Sequence, residues 1–175
     1  MISHDVIIVG AGAAGMFAAA VCAERAPGQS ILVLERQSEP LGKVRISGGG
    51  RCNLTHACTD IRTFAQNYPR GSSELIGPFH QFGPTETMEW FEAHDVPLVT
   101  LEDGCVFPQS DRSESVIDAL QTAAENGHLE TVFRATVVSV SRLHSTGTDG
   151  DWSGFQVEVA DGRQFVCRKL LIATG

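Results

Sequence analysis

Asp5 to Glu35 reads D-V-I-I-V-G-A-G-A-A-G-M-F-A-A-A-V-C-A-E-R-A-P-G-Q-S-I-L-V-L-E. Val6 to Val9 is a short apolar run of the kind a strand buried on both faces needs, and it leads straight into Gly10-x-Gly12-x-x-Gly15. An Ala-rich helical segment follows, Pro27-Gly28 breaks it, and a second apolar run occupies Ile31 to Leu34. Glu35 stands twenty residues after Gly15. The pattern predicts a strand-helix-strand unit that binds a dinucleotide.

Each glycine has a physical task. Gly10 allows the tight turn out of the strand, Gly12 lets backbone approach a pyrophosphate, and Gly15 lets helix and strand pack closely. The helix N-terminus favours an anion by about 0.3–1 kcal/mol. Glu35 would accept the ribose hydroxyls, a charge-assisted bond worth roughly 1.5–3 kcal/mol. Its carboxylate would repel a 2′-phosphate, so FAD or NAD suits this site better than NADP. Two other readings of the stretch are weaker. The uncharged segment Val6 to Ala23 is dominated by Gly and Ala and has no Lys or Arg before it, unlike a membrane span or signal peptide. A methyltransferase also uses a glycine turn and an acid, but has no later antiparallel return to its sheet.

The 175 residues are 42% hydrophobic, enough for a sizeable core. The net charge of −8 is uneven: residues 1–80 carry 7 Lys/Arg against 6 Asp/Glu, and residues 81–175 carry 6 against 15. The acidic half argues against a nucleic-acid partner and is read as a solvated surface. Five cysteines without C-x-x-C spacing, and six scattered histidines, suggest neither a disulfide framework nor a metal site. With no secretory signal or anchor in view, the expected compartment is the cytoplasm.

After Glu35 comes a loop-like stretch containing Lys43, Arg45, the glycines Gly48 to Gly50, and then Arg51, Cys52 and Asn53. Spacing alone leaves two readings open. One is a flexible linker; the other is a loop whose bare N–H groups lie against a flat or phosphorylated ligand, with Lys43 and Arg51 supplying charge and Asn53 an amide. Residues 57–84 show turn signals only. A helix is expected over Pro84 to His94 with Met88, Trp90 and Phe91 on its apolar side, and another over Ser113 to Asn126 with Val116, Ile117, Leu120, Ala123 and Ala124 on one face. Strand character returns at Leu129 to Phe133. A small antiparallel meander follows over Ala135–Val140, Phe155–Ala160 and Arg163–Cys167, with a hairpin turn at Asp161-Gly162. Leu170 to Ala173 reads as a further strand running into Thr174-Gly175.

These motifs together resemble the YhiN/BaiN-like family of NAD(P)/FAD-dependent oxidoreductases. The matches are I-I-V-G-A-G-A-A-G-M (7–16), L-E-R (34–36), G-K-V-R-I-S-G-G-G-R-C-N-L-T (42–55), D-G-C-V-F-P-Q-S-D-R (103–112) and L-L-I-A-T-G (170–175). The resemblance favours the ligand-binding reading of the glycine loop. It implies an α/β fold: a Rossmann-type FAD-binding domain with a parallel sheet, a β-α-β dinucleotide unit and a small β-meander at about 135–168. It further implies that Gly10, Gly12, Ala14 and Gly15 line the pyrophosphate, and that Glu35 and Arg36 hold the adenosine ribose. Lys43, Gly50, Arg51, Cys52 and Asn53 would lie along the ribityl and flavin, Val137 would meet adenine through its backbone, and Thr174-Gly175 would pass the cofactor's middle. The implied chemistry is hydride transfer from NAD(P)H through flavin to an unsaturated small-molecule substrate. No residue stands out as catalytic.

His56 departs from the family, which has Asn after Leu-Thr. Family members are also considerably longer, so the chain is expected to be the N-terminal portion, residues 1–175 of an FAD domain, without the substrate domain and the C-terminal flavin segment. That would leave an uncovered apolar strand edge at Leu170 to Ala173, inviting self-association. The alternative function is a non-catalytic dinucleotide or ADP-binding module acting with another chain.

Overall fold

The structure is a computed structural model and describes residues 2–145 and 152–175. The chain divides into two compact units, one formed by Met1–Lys43 with Leu120–Gly175 and the other by Val44–Ala119.

In the first unit, β1 (Ile2–Val9), α1 (Ala13–Arg25) and β2 (Ser30–Leu34) follow one another as the apolar runs and glycines predict. Six strands form one sheet in the order β6-β2-β1-β9-β8-β7. Here β6 is His128–Val132, β7 is Val137–Ser145, β8 is Trp152–Val159 and β9 is Gln164–Ile172. The first four strands in that order run parallel, and β8 and β7 add on antiparallel as the meander. Val6 to Val9 and Ile31 to Leu34 are buried, which is why these runs need no polar alternation. Ile7, Val9, Leu32 and Leu34 form a cluster with Val157, Val159, Phe165 and Cys167, so the meander's side chains complete the core of the parallel strands.

The sequence suggests two strands at 163–167 and 170–173; the structure has one, β9, paired in register with β1 from Phe165 to Ile172. Arg168 and Lys169 interrupt the apolar pattern but are exposed, so the backbone continues through them unbroken. The 146–150 and Asp151 positions lie outside the described residues, and the meander is described on either side of them. The Asp161-Gly162 turn is present, with Gly162 at φ 89° and the Val159 amide donating to the Arg163 carbonyl at 3.0 Å.

In the second unit, β3 (Thr55–His56), β4 (Leu98–Thr100) and β5 (Cys105–Pro108) make a three-stranded antiparallel sheet in the order β3-β5-β4. Between residues 57 and 84 lie two short helices, α3 (Ile61–Ala65) and α4 (Ser72–Phe79). The Asp60 carboxylate caps α3 by accepting from the Thr63 amide at 2.8 Å. The next helix, α5 (Pro84–Ala93), starts with Pro as expected and buries Phe91, while Trp90 meets the Phe91 ring edge-on at 4.9 Å. Two helices belong partly to each unit: α2 (Gly42–Ile46) and α6 (Ser113–Glu125). In α6 the predicted face of Val116, Ile117, Leu120, Ala123 and Ala124 is buried throughout.

Candidate functional site

The turn from β1 to α1 separates its glycines by role. Gly10 has φ 104°, and its amide donates to the Leu34 carbonyl at 2.8 Å. A Cβ on Gly10 would stand 2.5 Å from the Ala173 carbonyl oxygen, and one on Gly15 would overlap the Gly10 carbonyl oxygen. Both positions are therefore closed to any side chain by backbone. Gly12 differs, because a Cβ there would meet nothing within 4 Å. It is the N-cap of α1 in an extended conformation, with no side-chain cap and no acid in the first helical turn. The first-turn amides of α1 thus have no side-chain acceptor at the cap and suit an anion.

Glu35 ends β2 with only 9% of its surface exposed. Its Oε2 accepts from the Ala11 amide at 2.7 Å and its Oε1 from the Gln37 amide at 2.8 Å. Its own backbone joins β6 and the approach to β7, donating to the Val132 carbonyl at 2.9 Å and accepting from the Ala135 amide at 2.8 Å. The carboxylate is therefore oriented by the backbone on both sides, and each oxygen retains a lone pair for a further donor.

A cleft of about 390 Å³ opens at the carboxyl ends of β1, β2 and β9, lined by Val9, Gly10, Leu34, Glu35, Arg36, Ala135, Thr136, Val137, Ile172, Thr174 and Gly175. That is where ligands bind in open parallel sheets. Of the residues expected at the site, the cleft gathers Gly10, Glu35, Arg36, Val137, Thr174 and Gly175. Gly12, the N-cap, and Ala14, in the first turn of α1, are not in the lining, and Gly15 is buried. Lys43 is exposed in α2, its Nζ 3.5 Å from where a Cβ on Gly175 would lie. Ala135 and Thr136 escape the sequence reading, which starts the strand at Ala135. In the structure Arg134 turns with φ 53° and β7 begins at Val137, leaving those two residues free to form the wall.

Gly50, Arg51, Cys52 and Asn53 belong to the second unit, where they form a set of their own. Gly48, Gly49 and Gly50 all have positive φ (55°, 71° and 89°), and Cys52 does too, at 63°. The Cys52 amide closes this loop on the Ser47 carbonyl at 3.0 Å. Cys52 itself is buried, and burial pushes its thiol above the ordinary range, partly offset by the Ser47 hydroxyl. Arg51 Nε donates to the Gly48 carbonyl at 3.2 Å, and its guanidinium lies 4.5 Å from the Phe107 ring centre. Asn53 is exposed. His56 lies 2.9 Å from the Asp103 carbonyl through Nε2, and its ring fills the space that a Cβ on Gly104 would need.

Among the described residues, no group of three or more His, Cys, Asp or Glu could hold a metal, and no helix is long and apolar enough to cross a membrane.

Similarities to known proteins bear on the fold and the family. The family model of the HI0933-like protein Rossmann domain matches residues 4–175. A ribosomal RNA dihydrouridine synthase of Escherichia coli is 29% identical over 171 residues, which are 98% of this chain and 39% of that protein. A 3-dehydro-bile acid delta(4,6)-reductase of Clostridium scindens is 28% identical over 169 residues, 96% of this chain and 38% of the relative. The chain thus spans about two fifths of the length of these curated relatives. Among solved structures, the FrdA subunit of Escherichia coli quinol fumarate reductase superposes with a TM-score of 0.65 at 17% identity, covering 100% of this chain and 33% of that one. The Sdh1 complex of Mycobacterium smegmatis gives 0.64 at 14% identity, covering 99% and 34%. These likenesses show the fold. On the family match over nearly its whole length, the chain belongs to the HI0933-like Rossmann domain family, the flavoprotein oxidoreductases that its glycine motifs resemble.

Proposed function

We propose that this chain is the FAD-binding portion of an oxidoreductase that carries hydride from NAD(P)H through flavin to an unsaturated substrate. The observation that supports it most directly is the pairing of an open Gly12 and an uncapped α1 N-terminus with a backbone-oriented Glu35 beside the cleft. The open Gly12 and the oriented Glu35 support this group: Gly10, Gly12 and Ala14 would pass the pyrophosphate, with Gly15 packing the helix behind them. Glu35 and Arg36 would hold the adenosine ribose, and the backbone near Val137 the adenine. Thr174 and Gly175 would lie along the middle of the cofactor, and Lys43, Gly50, Arg51, Cys52 and Asn53 along its ribityl and flavin side. When bound, FAD supplies two-electron chemistry, taking hydride from a reduced nicotinamide and delivering it to the substrate. The chain's own residues bind and orient, and none is assigned as an acid or base.

The substrate class is supported by the relatives' names, since a dihydrouridine synthase and a delta(4,6)-reductase both saturate carbon–carbon double bonds. One of those names specifies ribosomal RNA. Val44–Ala119, however, carries five Arg and no Lys against eleven Asp/Glu, so it brings no basic excess to a phosphate backbone. The proposed substrate is a small molecule, reduced in a cytoplasmic setting.

A second reading, a non-catalytic ADP-binding module that works with another chain, is favoured by the cleft's lining, which lies wholly within the first unit. The purified chain decides between them through its visible spectrum and the nucleotide released on denaturation. Flavin absorbance with released FAD supports the first reading, a colourless protein that binds ADP supports the second, and a chain that binds neither refutes both.

A further inference from the structure

The segment Asp103 to Arg112 carries a family motif yet has no task in the cofactor reading above. In the second unit it lies against the glycine loop. The Leu54 amide donates to the Val106 carbonyl at 2.9 Å and the Ala57 amide to the Gly104 carbonyl at 2.8 Å, so β5 anchors the chain that leaves the loop. Phe107, only 6% exposed, touches the loop at two points. Its ring lies 4.5 Å beneath the Arg51 guanidinium, and its Cε1 stands 3.1 Å from where a Cβ on Gly48 would be. A side chain at position 48 would therefore crowd the ring that supports Arg51, at a position whose φ of 55° already disfavours one. Asp111, held at φ 55°, brings Oδ1 to 3.8 Å from Arg51 Nη1, while Nε of the same guanidinium is taken by the Gly48 carbonyl.

We propose that Phe107 and Asp111 are positioning residues for Arg51: the ring fixes the plane of the guanidinium and the carboxylate its rotation within that plane. With Nε donating to the Gly48 carbonyl and one face of the guanidinium on the Phe107 ring, the Nη donors are the ones left for an anionic or flat part of the bound dinucleotide. The inference rests on the reading of the glycine loop as cofactor-binding. The two supports differ in weight. Asp111 is 73% exposed and its ion pair is long, so water screens it; Phe107 is buried and presents a full π face, so it carries most of the effect.

The experiment has two readouts on the full chain. The first, independent of any ligand, is the Arg51 Nε–H resonance in nitrogen-15 NMR. In the unaltered protein the signal is expected to be displaced by the ring current and slow to exchange. Phe107→Leu, which keeps apolar bulk and removes the π face, should abolish the displacement and speed exchange, whereas Phe107→Tyr should preserve both. The second readout is FAD affinity by fluorescence titration. Phe107→Leu should weaken it about fivefold, within the range of a partly exposed cation–π contact, and Phe107→Tyr should restore it. Arg51→Gln combined with Phe107→Leu should be no worse than Arg51→Gln alone. An unchanged Nε–H signal in Phe107→Leu, or losses that multiply in the double variant, overturns the proposal. If the resonance behaves as expected but the unaltered chain binds no FAD, the cofactor reading fails and the ligand-presenting role fails with it, while the Phe107–Arg51 contact is upheld.

Discussion

Glu35 reaches back from the end of β2 to accept the Ala11 amide through Oε2 at 2.7 Å, tying the acid to the glycine turn it follows by 24 residues. Its second oxygen holds the Gln37 amide at 2.8 Å. One carboxylate therefore does two things. It ties the glycine turn to the end of β2, and it keeps a lone pair on each oxygen for a further donor at the wall of the cleft. The proposed ribose acceptor and the glycine turn are thus joined by one direct hydrogen bond.

Glu35→Ala is accordingly expected to show in two measurements. FAD affinity should fall by about 1.5–3 kcal/mol through loss of the charged acceptor, and denaturant stability should fall by roughly 1–3 kcal/mol because two amides lose their partner. Titration and urea unfolding on the same sample separate the two effects. Undiminished affinity would mean that the ribose is held elsewhere.

Gly12 and Gly15 should respond to substitution in opposite ways. Gly12→Val puts its side chain into open space, so the chain should fold with a stability change of about 1 kcal/mol from the poorer N-cap, yet lose dinucleotide binding. Gly15→Ala drives a methyl into the Gly10 carbonyl oxygen and must push α1 off the sheet, at a cost of about 1–3 kcal/mol. Melting curves and FAD titration on both variants test the contrast. A Gly12→Val protein that still binds FAD would remove the pyrophosphate from this turn.

The parts of the fold legible in the sequence are those whose demands are local. Val6 to Val9, the glycines after it and Ile31 to Glu35 each require a particular backbone, and α6 shows its buried face over 13 residues. The small sheet of the second unit is not legible, because β3 has 2 residues and β4 has 3, too few to show an alternation. In β9 the charged pair Arg168-Lys169 imitates a turn, and only pairing with β1 along its length shows otherwise. The same holds for the site. Gly10 and Glu35 announce themselves, whereas the wall at Ala135 and Thr136 depends on a left-handed Arg134, and the Phe107 support of Arg51 on two segments far apart in the chain.

Acid stability should depend on Asp5. Its Oδ2 accepts from the Ser30 amide and the Ser30 hydroxyl, both at 3.0 Å, and these bonds to Ser30 hold its carboxyl below the ordinary range. A carboxyl whose value is lower in the folded than in the unfolded chain stabilises the fold above the unfolded value. That stability disappears as pH falls through the folded value. Unfolding midpoints should therefore decline from about pH 5 to pH 3, around the unperturbed value near ~3.9. Ser30→Ala removes the hydroxyl donor and leaves the amide at position 30, so it should make that decline slightly shallower. An identical pH slope in Ser30→Ala and the unaltered chain would count against the assignment.

Self-association is expected at the sheet's free edges. Pairing between β8 and β9 ends at Phe155 and Cys167, but β9 continues to Ile172, so among the described residues Lys169 to Ile172 is paired only on its β1 side. Leu171 and Ile172 there are 40% and 56% exposed, and the outermost strand β7 exposes Val138 and Val140 as well. Apolar edges with unpaired backbone donors and acceptors add strands from other molecules. The chain should consequently sediment as a species larger than a monomer at micromolar concentration. Leu171→Lys puts a charge on the open half of β9 and should shift the population toward monomer if that edge is the contact, while Val140→Lys should do so if β7 is. A clean monomer for the unaltered chain across the concentration range would rule out association through either edge.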